Sequence, residues 1–159
     1  MRYFTMDEAL RSATALKLGI DNTPTDEHRR HIEESIILCL DPLRGEWERF
    51  CERNLLGKAG IVISSGYRGF RLNAAVGGST TSAHCVGYAF DLVPSNGRMR
   101  EFKRFCREWF ATHPFDQLIS EDEGADGLPR WMHVGFRNRD GRQRRQLLSM
   151  RRGQYYPMS

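Results

Sequence analysis

The sequence predicts an α+β domain with a small, mainly antiparallel sheet that carries the functional residues. Two observations lead there. Helix-period apolar patterns fill the first third of the chain, and short strand-type runs broken by turns follow, with one further helix among them. A length of 159 residues sets the scale at one domain over 1–159 with a single core.

Thr5-Met6-Asp7-Glu8 has the T-x-x-E form of a capping box, and Met6, Leu10, Ala13, Leu16 and Leu18 then recur at near-helical spacing. One helix of about three turns is expected, ended by Gly19. After Asn22-Thr23-Pro24, a second and longest helix begins with Asp26 and Glu27 at its positive end. Ile32, Ile36, Cys39, Leu40, Leu43, Trp47 and Phe50 form its apolar stripe, and Pro42 is expected to kink it. His28 and His31 on this helix read as exposed polar positions. Gly57-Lys58-Ala59-Gly60 breaks the helix, and Ile61 to Ser65 reads as a buried strand that stops at Gly66. Arg71 to Val76 suits one or two helical turns, and Pro94 to Gly97 is a turn. Met99, Phe102, Phe105, Cys106, Trp109 and Phe110 mark another amphipathic helix. Phe115 to Ser120 and Trp131 to Phe136 read as strands on either side of an acidic loop, Glu121 to Gly127.

No apolar run reaches membrane-spanning length, and the N-terminus lacks the apolar core of a signal peptide. The expectation is a soluble chain made in the cytoplasm. Four cysteines, Cys39, Cys51, Cys85 and Cys106, show no C-x-x-C pairing and read as mostly buried thiols. The net charge is +4, yet seven arginines and one acid, Asp140, fall between Arg137 and Arg152. This basic segment, about 137–159, reads as a solvated helix or tail, with attraction to an anionic cell-wall polymer as the sharper alternative. Aromatic residues are not interleaved with the arginines, which argues against nucleic acid as a partner.

The stretch Ser82-Ala83-His84-Cys85-Val86-Gly87-Tyr88-Ala89-Phe90-Asp91 sets a histidine on a turn and an aspartate on the strand that follows it. His133, within Trp131-Met132-His133-Val134-Gly135-Phe136, offers a third ligand. Two histidines and one aspartate with a fourth position open are the ligand set of a catalytic zinc, whereas structural zinc is closed by four protein ligands rich in cysteine.

Ser64-Ser65-Gly66-Tyr67-Arg68, the S-x-H-x-x-G-x-A-x-D pattern of Ser82 to Asp91, and WMHVGF occur here in that order. Together they resemble the zinc D-alanyl-D-alanine carboxypeptidase and L-alanyl-D-glutamate endopeptidase family of peptidoglycan peptidases. Phe4 to Glu8 and Gly19 to Pro24 resemble the phage-type members. The resemblance implies the fold shared with the Hedgehog signalling domain, and a Zn2+ cofactor on His84, Asp91 and His133. It also implies peptidoglycan stem peptides as substrate and action at the bacterial cell wall. It implies that Arg68 polarises or binds substrate, which a planar, permanently charged guanidinium suits, and that Ser82 hydrogen-bonds substrate. Some members carry a glutamate three residues before the second histidine, and here that position is Arg130. The general base is therefore sought in the acidic loop, with Glu121 first, Glu123 and Asp126 next, and Asp122 last. Arg130 also motivates the alternative of a non-catalytic wall-binding or virion-associated module that retains the zinc fold.

Overall fold

Thr5 and Glu8 start the first element by satisfying each other's backbone N–H, at 3.2 and 2.7 Å, in the computed structural model, which describes residues 1–159. The expected single helix over Met6 to Leu18 is instead two, α1 (Met6–Leu10) and α2 (Ala13–Leu18). Ser12 is the cause: its Oγ accepts the Ala15 N–H at 3.1 Å, so the serine caps a new helix rather than continuing the old one.

Thr25 caps α3 (Asp26–Ser35), which passes through a π-helical turn (Ile36–Leu40) into α4 (Asp41–Asn54) without a break in the chain's course. Pro42 has no N–H to offer the preceding turn, and the π-helical turn just before it accommodates that loss at the point where a kink is expected. His28 and His31 are half-buried rather than exposed, because α3 packs on the loops that follow β1 (Ile61–Ser65). His28 Nδ1 lies 2.9 Å from the Tyr67 hydroxyl and His31 Nδ1 2.7 Å from the Val86 carbonyl oxygen.

The remaining elements are α5 (Phe70–Ala75), β2 (Ala89–Pro94), α6 (Met99–Phe110), β3 (Gln117–Glu121), β4 (Trp131–Gly135), β5 (Gln146–Arg151) and β6 (Gln154–Pro157). Six strands form one sheet in the order β1-β2-β4-β3-β5-β6. The sheet is mixed, not mainly antiparallel, because β5 runs parallel to β3. The basic C-terminal segment accounts for the difference. Its expected helix or tail is a hairpin, β5 and β6, turned by Arg152 and Gly153 at φ 49° and 75°. Two successive positive φ values match the twist of paired strands.

One face of the sheet carries Phe90, Leu92, Leu118, Met132 and Val134 into the core, against Trp47 of α4 and Phe102 and Phe105 of α6. The Trp47 and Phe102 rings meet edge to face at 5.0 Å. Since side chains alternate along a strand, Asp91, His133 and Ile119 point to the opposite face, away from the helices. No helix is long and apolar enough to cross a membrane.

Candidate metal centre

His84 is placed by a 3-10 turn, Ala83–Val86, whose entry Ser82 caps by accepting the His84 N–H at 3.2 Å. Ser82 thus has a turn-stabilising role here, and it also lines the cleft described below. The turn ends at Gly87, where φ is +87° and an added Cβ would stand 2.7 Å from the His28 carbonyl oxygen of α3. Glycine is required there both by conformation and by contact. Gly66 serves a similar end at the close of β1: a Cβ would fall 2.2 Å from the Ala9 carbonyl oxygen. Its own carbonyl oxygen lies 2.8 Å from His84 Nδ1. Nδ1 therefore carries the proton and donates it, which leaves the Nε2 lone pair free and aimed inward.

Asp91 on β2 pairs with His133 on β4, so both side chains rise from neighbouring strands on the face that His84 overhangs. His84 Nε2 lies 3.3 Å from His133 Nδ1 and 3.4 Å from Asp91 Oδ1, and His133 Nδ1 lies 3.1 Å from Asp91 Oδ1. Donor atoms on a tetrahedral cation at about 2.0–2.1 Å stand about 3.3–3.4 Å apart, so this triangle fits one zinc-sized ion. All three residues are buried, and no other group of His, Cys, Asp and Glu forms such a cluster. Burial pushes the His84 imidazolium pKa down, a tendency that Asp91 partly offsets. Burial would raise the Asp91 carboxyl, but His84 and His133 outweigh it and hold Asp91 well below the usual carboxylate range. A fixed anion and a neutral imidazole lone pair thus converge at a buried point of the chain, which suits a divalent cation better than a hydrogen-bonded polar core. Cys85, the neighbour of His84, stands outside the cluster, and burial raises its thiol.

The cluster lies in a cleft of about 1160 Å³. Arg68 lines it, with its N–H donated to the His84 carbonyl oxygen at 3.0 Å and its Nε buried without a hydrogen-bond partner. Glu121 lines it too, at the end of β3 and two residues beyond Ile119, the partner of His133. Burial raises the Glu121 carboxyl, and His133 partly offsets that rise.

The other acids of the loop are engaged elsewhere. Glu123 accepts from Lys103 Nζ at 2.7 Å and from the Ser120 and Ser149 hydroxyls at 2.5 and 3.0 Å, so it is a buried tie between α6, β3 and β5. Asp126 is exposed and accepts the Leu128 N–H at 3.0 Å. Arg130 is exposed and turned to Asp122 at 3.3 Å, while its backbone N–H meets the Glu121 carbonyl oxygen at 2.9 Å. Of the four acids of this loop, Glu121 is the one that lines the cleft, on the strand beside the one that Arg130 precedes.

Most of the C-terminal arginines have partners inside the molecule. Arg144 forms a fork to the buried Asp116 with two bonds of 2.8 Å, and Arg145 caps α6 through the Phe110 carbonyl oxygen at 2.9 Å. Arg137 reaches Glu34 at 2.9 Å, Arg139 bonds the Thr80 carbonyl, and Arg151 lies 3.6 Å from Glu123. Only Arg142 and Arg152 extend without such a contact. The fold also brings Leu148, Met150 and Tyr155 of the hairpin to the cleft. The charge pattern alone suggests a solvated helix or tail there, and Arg152-Gly153 between two short runs is the available sign of a hairpin.

Among known proteins, the chain matches the family described as Peptidase M15 over residues 2–134, well over half its length. No curated protein matches it.

Proposed function

The chain belongs to the Peptidase M15 family of metal-dependent peptidases, and from that premise we propose that it is a zinc peptidase hydrolysing peptide bonds of bacterial peptidoglycan. The observation that carries the proposal is the triangle of His84, Asp91 and His133 with Arg68 and Glu121 in the same cleft. Zinc held by the triangle supplies Lewis acidity, bringing a water to a pKa of about 7 and polarising an amide carbonyl.

The chain's own residues account for the rest. Arg68 keeps its charge at any working pH and offers a planar fork to the carbonyl oxygen as negative charge gathers there. Glu121 takes the proton from the attacking water and returns it to the departing nitrogen. A carboxyl raised by burial suits both halves of that task, since it accepts and gives up the proton nearer neutral pH. Asp91 keeps its charge as the anionic member of the triangle, and the Gly66 carbonyl oxygen fixes the tautomer of His84. The substrate class is the one implied by the likeness of the S-G-Y-R, S-x-H-x-x-G-x-A-x-D and W-M-H motifs. The bond cut is either one that releases D-alanine or the L-alanyl-D-glutamate link.

Digestion of purified peptidoglycan by the zinc-loaded chain, with and without a chelator, tests this. Free amino groups and shortened stem peptides, identified by mass and abolished by the chelator, are expected. Binding to the wall without any cleavage would overturn the peptidase reading in favour of a non-catalytic module.

A further inference from the structure

We propose that the C-terminal hairpin adds an apolar subsite to the cleft, and that Tyr155, with Met150 and Trp131, selects an apolar side chain on the residue whose amine departs. The proposal rests on the peptidase reading and adds to it the chemistry of the residue on one side of the bond: of the two bonds named above it favours the one that releases D-alanine, since glutamate is the departing residue of the other.

The registers of the sheet define the cleft floor as rows. Asp91, His133, Ile119 and Leu148 lie side by side across β2, β4, β3 and β5. Two residues further along, Trp131 stands opposite Glu121 and Met150 opposite Tyr155. Ser120 pairs with Ser149, so the parallel register brings Glu121 and Met150 together. These two rows are about 6.6–6.8 Å apart on one face. Beyond the candidate metal centre the floor is therefore apolar, with Glu121 as its carboxylate.

This surface is left open. Tyr155 is 59% exposed, and Trp131, Leu148 and Met150 are half-buried along the cleft. Burial and the nearby Glu121 charge both raise the Tyr155 phenol, which agrees with a ring leaning towards that carboxylate. The wall is fixed in place by the Arg144 fork on Asp116, by the Ser149 hydroxyl on Glu123, and by the Met158 N–H on the Leu147 carbonyl oxygen. The family match ends at residue 134, ahead of both hairpin strands, so this wall belongs to the part of the chain beyond the matched region.

The direction follows from the proton. An acid must come within about 2.6–3.2 Å of the nitrogen it protonates, so the departing amine lies over the Glu121 row and its side chain meets Met150 and Tyr155. An apolar group gains contact there. An acidic group would lose its hydration against apolar surface and face the charge of Glu121.

Three peptides that share an acyl side and differ only in the departing residue, leucine, alanine or glutamate, provide the test. The zinc-loaded chain should prefer leucine to alanine by about tenfold in kcat/KM and cleave the glutamate peptide least. Tyr155→Ala should cut the leucine-to-alanine ratio to about two- or threefold, and Tyr155→Phe should keep it. A ratio unchanged in both Tyr155→Ala and Met150→Ser, or equal loss on all three peptides, would overturn the subsite. A second readout does not depend on turnover: leucinamide should shift the NMR signal of the Met150 methyl group and bind about tenfold more tightly than glutamate, and Tyr155→Ala should abolish the difference. Failure of cleavage with that shift intact would count against the peptidase reading alone, whereas absence of the shift would overturn the subsite.

Discussion

Glu121 ends β3 and Glu123 lies two residues beyond it, yet only Glu121 lines the cleft. Glu123 is saturated by Lys103, Ser120 and Ser149, whereas no hydrogen bond lowers the Glu121 carboxyl and burial raises it. Glu121→Gln should therefore keep the fold and the bound metal and lose about 100-fold or more in kcat, the upper range for a single acid–base group. Steady-state kinetics beside metal analysis check this, and near-normal turnover would remove Glu121 from the role. His84 makes a second expectation at this scale. Its folded pKa is depressed, so the unfolded chain binds the extra proton as pH falls below about 6.5, and stability is lost in that direction. Asp91 is depressed as well and adds a further loss below about 3.9. Half-buried His28 is lowered in the same sense. Thermal unfolding of the chelated protein between pH 8 and 5 should show Tm falling on acidification, and a flatter profile in His84→Gln. Equal slopes in the two would show that His84 is not the group responsible.

At the scale of elements, the C-terminal hairpin shows where sequence patterning stopped. The helices announced themselves through capping residues and period: Thr5 and the stripe from Ile32 to Phe50 lie where expected. Ser12 defeated the periodicity because a local side-chain bond to Ala15 competes with helix continuation, and a hydrophobic count does not register such a bond. The hairpin was hidden for another reason. Its arginines were read as solvated charge, and their partners, Asp116, Glu123 and the end of α6, lie far away in sequence. The grouping of His84, Asp91 and His133 was legible because these residue types are chemically specific and the glycine between the first two has a steric task. Tyr155 was not, since only the parallel pairing of β5 with β3 brings the hairpin to the cleft. Removing residues from Arg142 onward should then unfold the domain instead of trimming a tail. It strips a strand from β3 and leaves the Asp116 carboxylate, 1% exposed, without Arg144. Arg144 is itself 42% exposed, so losing this pair costs less than the about 3–5 kcal/mol of a fully buried one, but the lost pairing of β5 with β3 adds to it, against the roughly 5–15 kcal/mol that holds a domain together. Circular dichroism of the truncated chain checks this, and an unaltered spectrum and Tm would mean that the hairpin contributes nothing to the fold.

Across the whole molecule, the sheet divides the work between its faces. Phe90, Leu92, Met132 and Val134 bind the helical layer, and the residues that alternate with them, Asp91 and His133, are held rigidly toward the cleft. α3 packs on the Gly87 turn from the side and sets the height of His84 above that floor. A site mounted on a packed core in this way is pre-organised for a cation, since its donor atoms already stand at the spacing one tetrahedral ion requires. The most direct measurement is the metal content of the purified, dialysed chain beside His84→Ala and Asp91→Ala. One zinc per chain in the wild type and loss of zinc from both variants is the predicted result. Full zinc occupancy in both variants, with the fold retained, would contradict it.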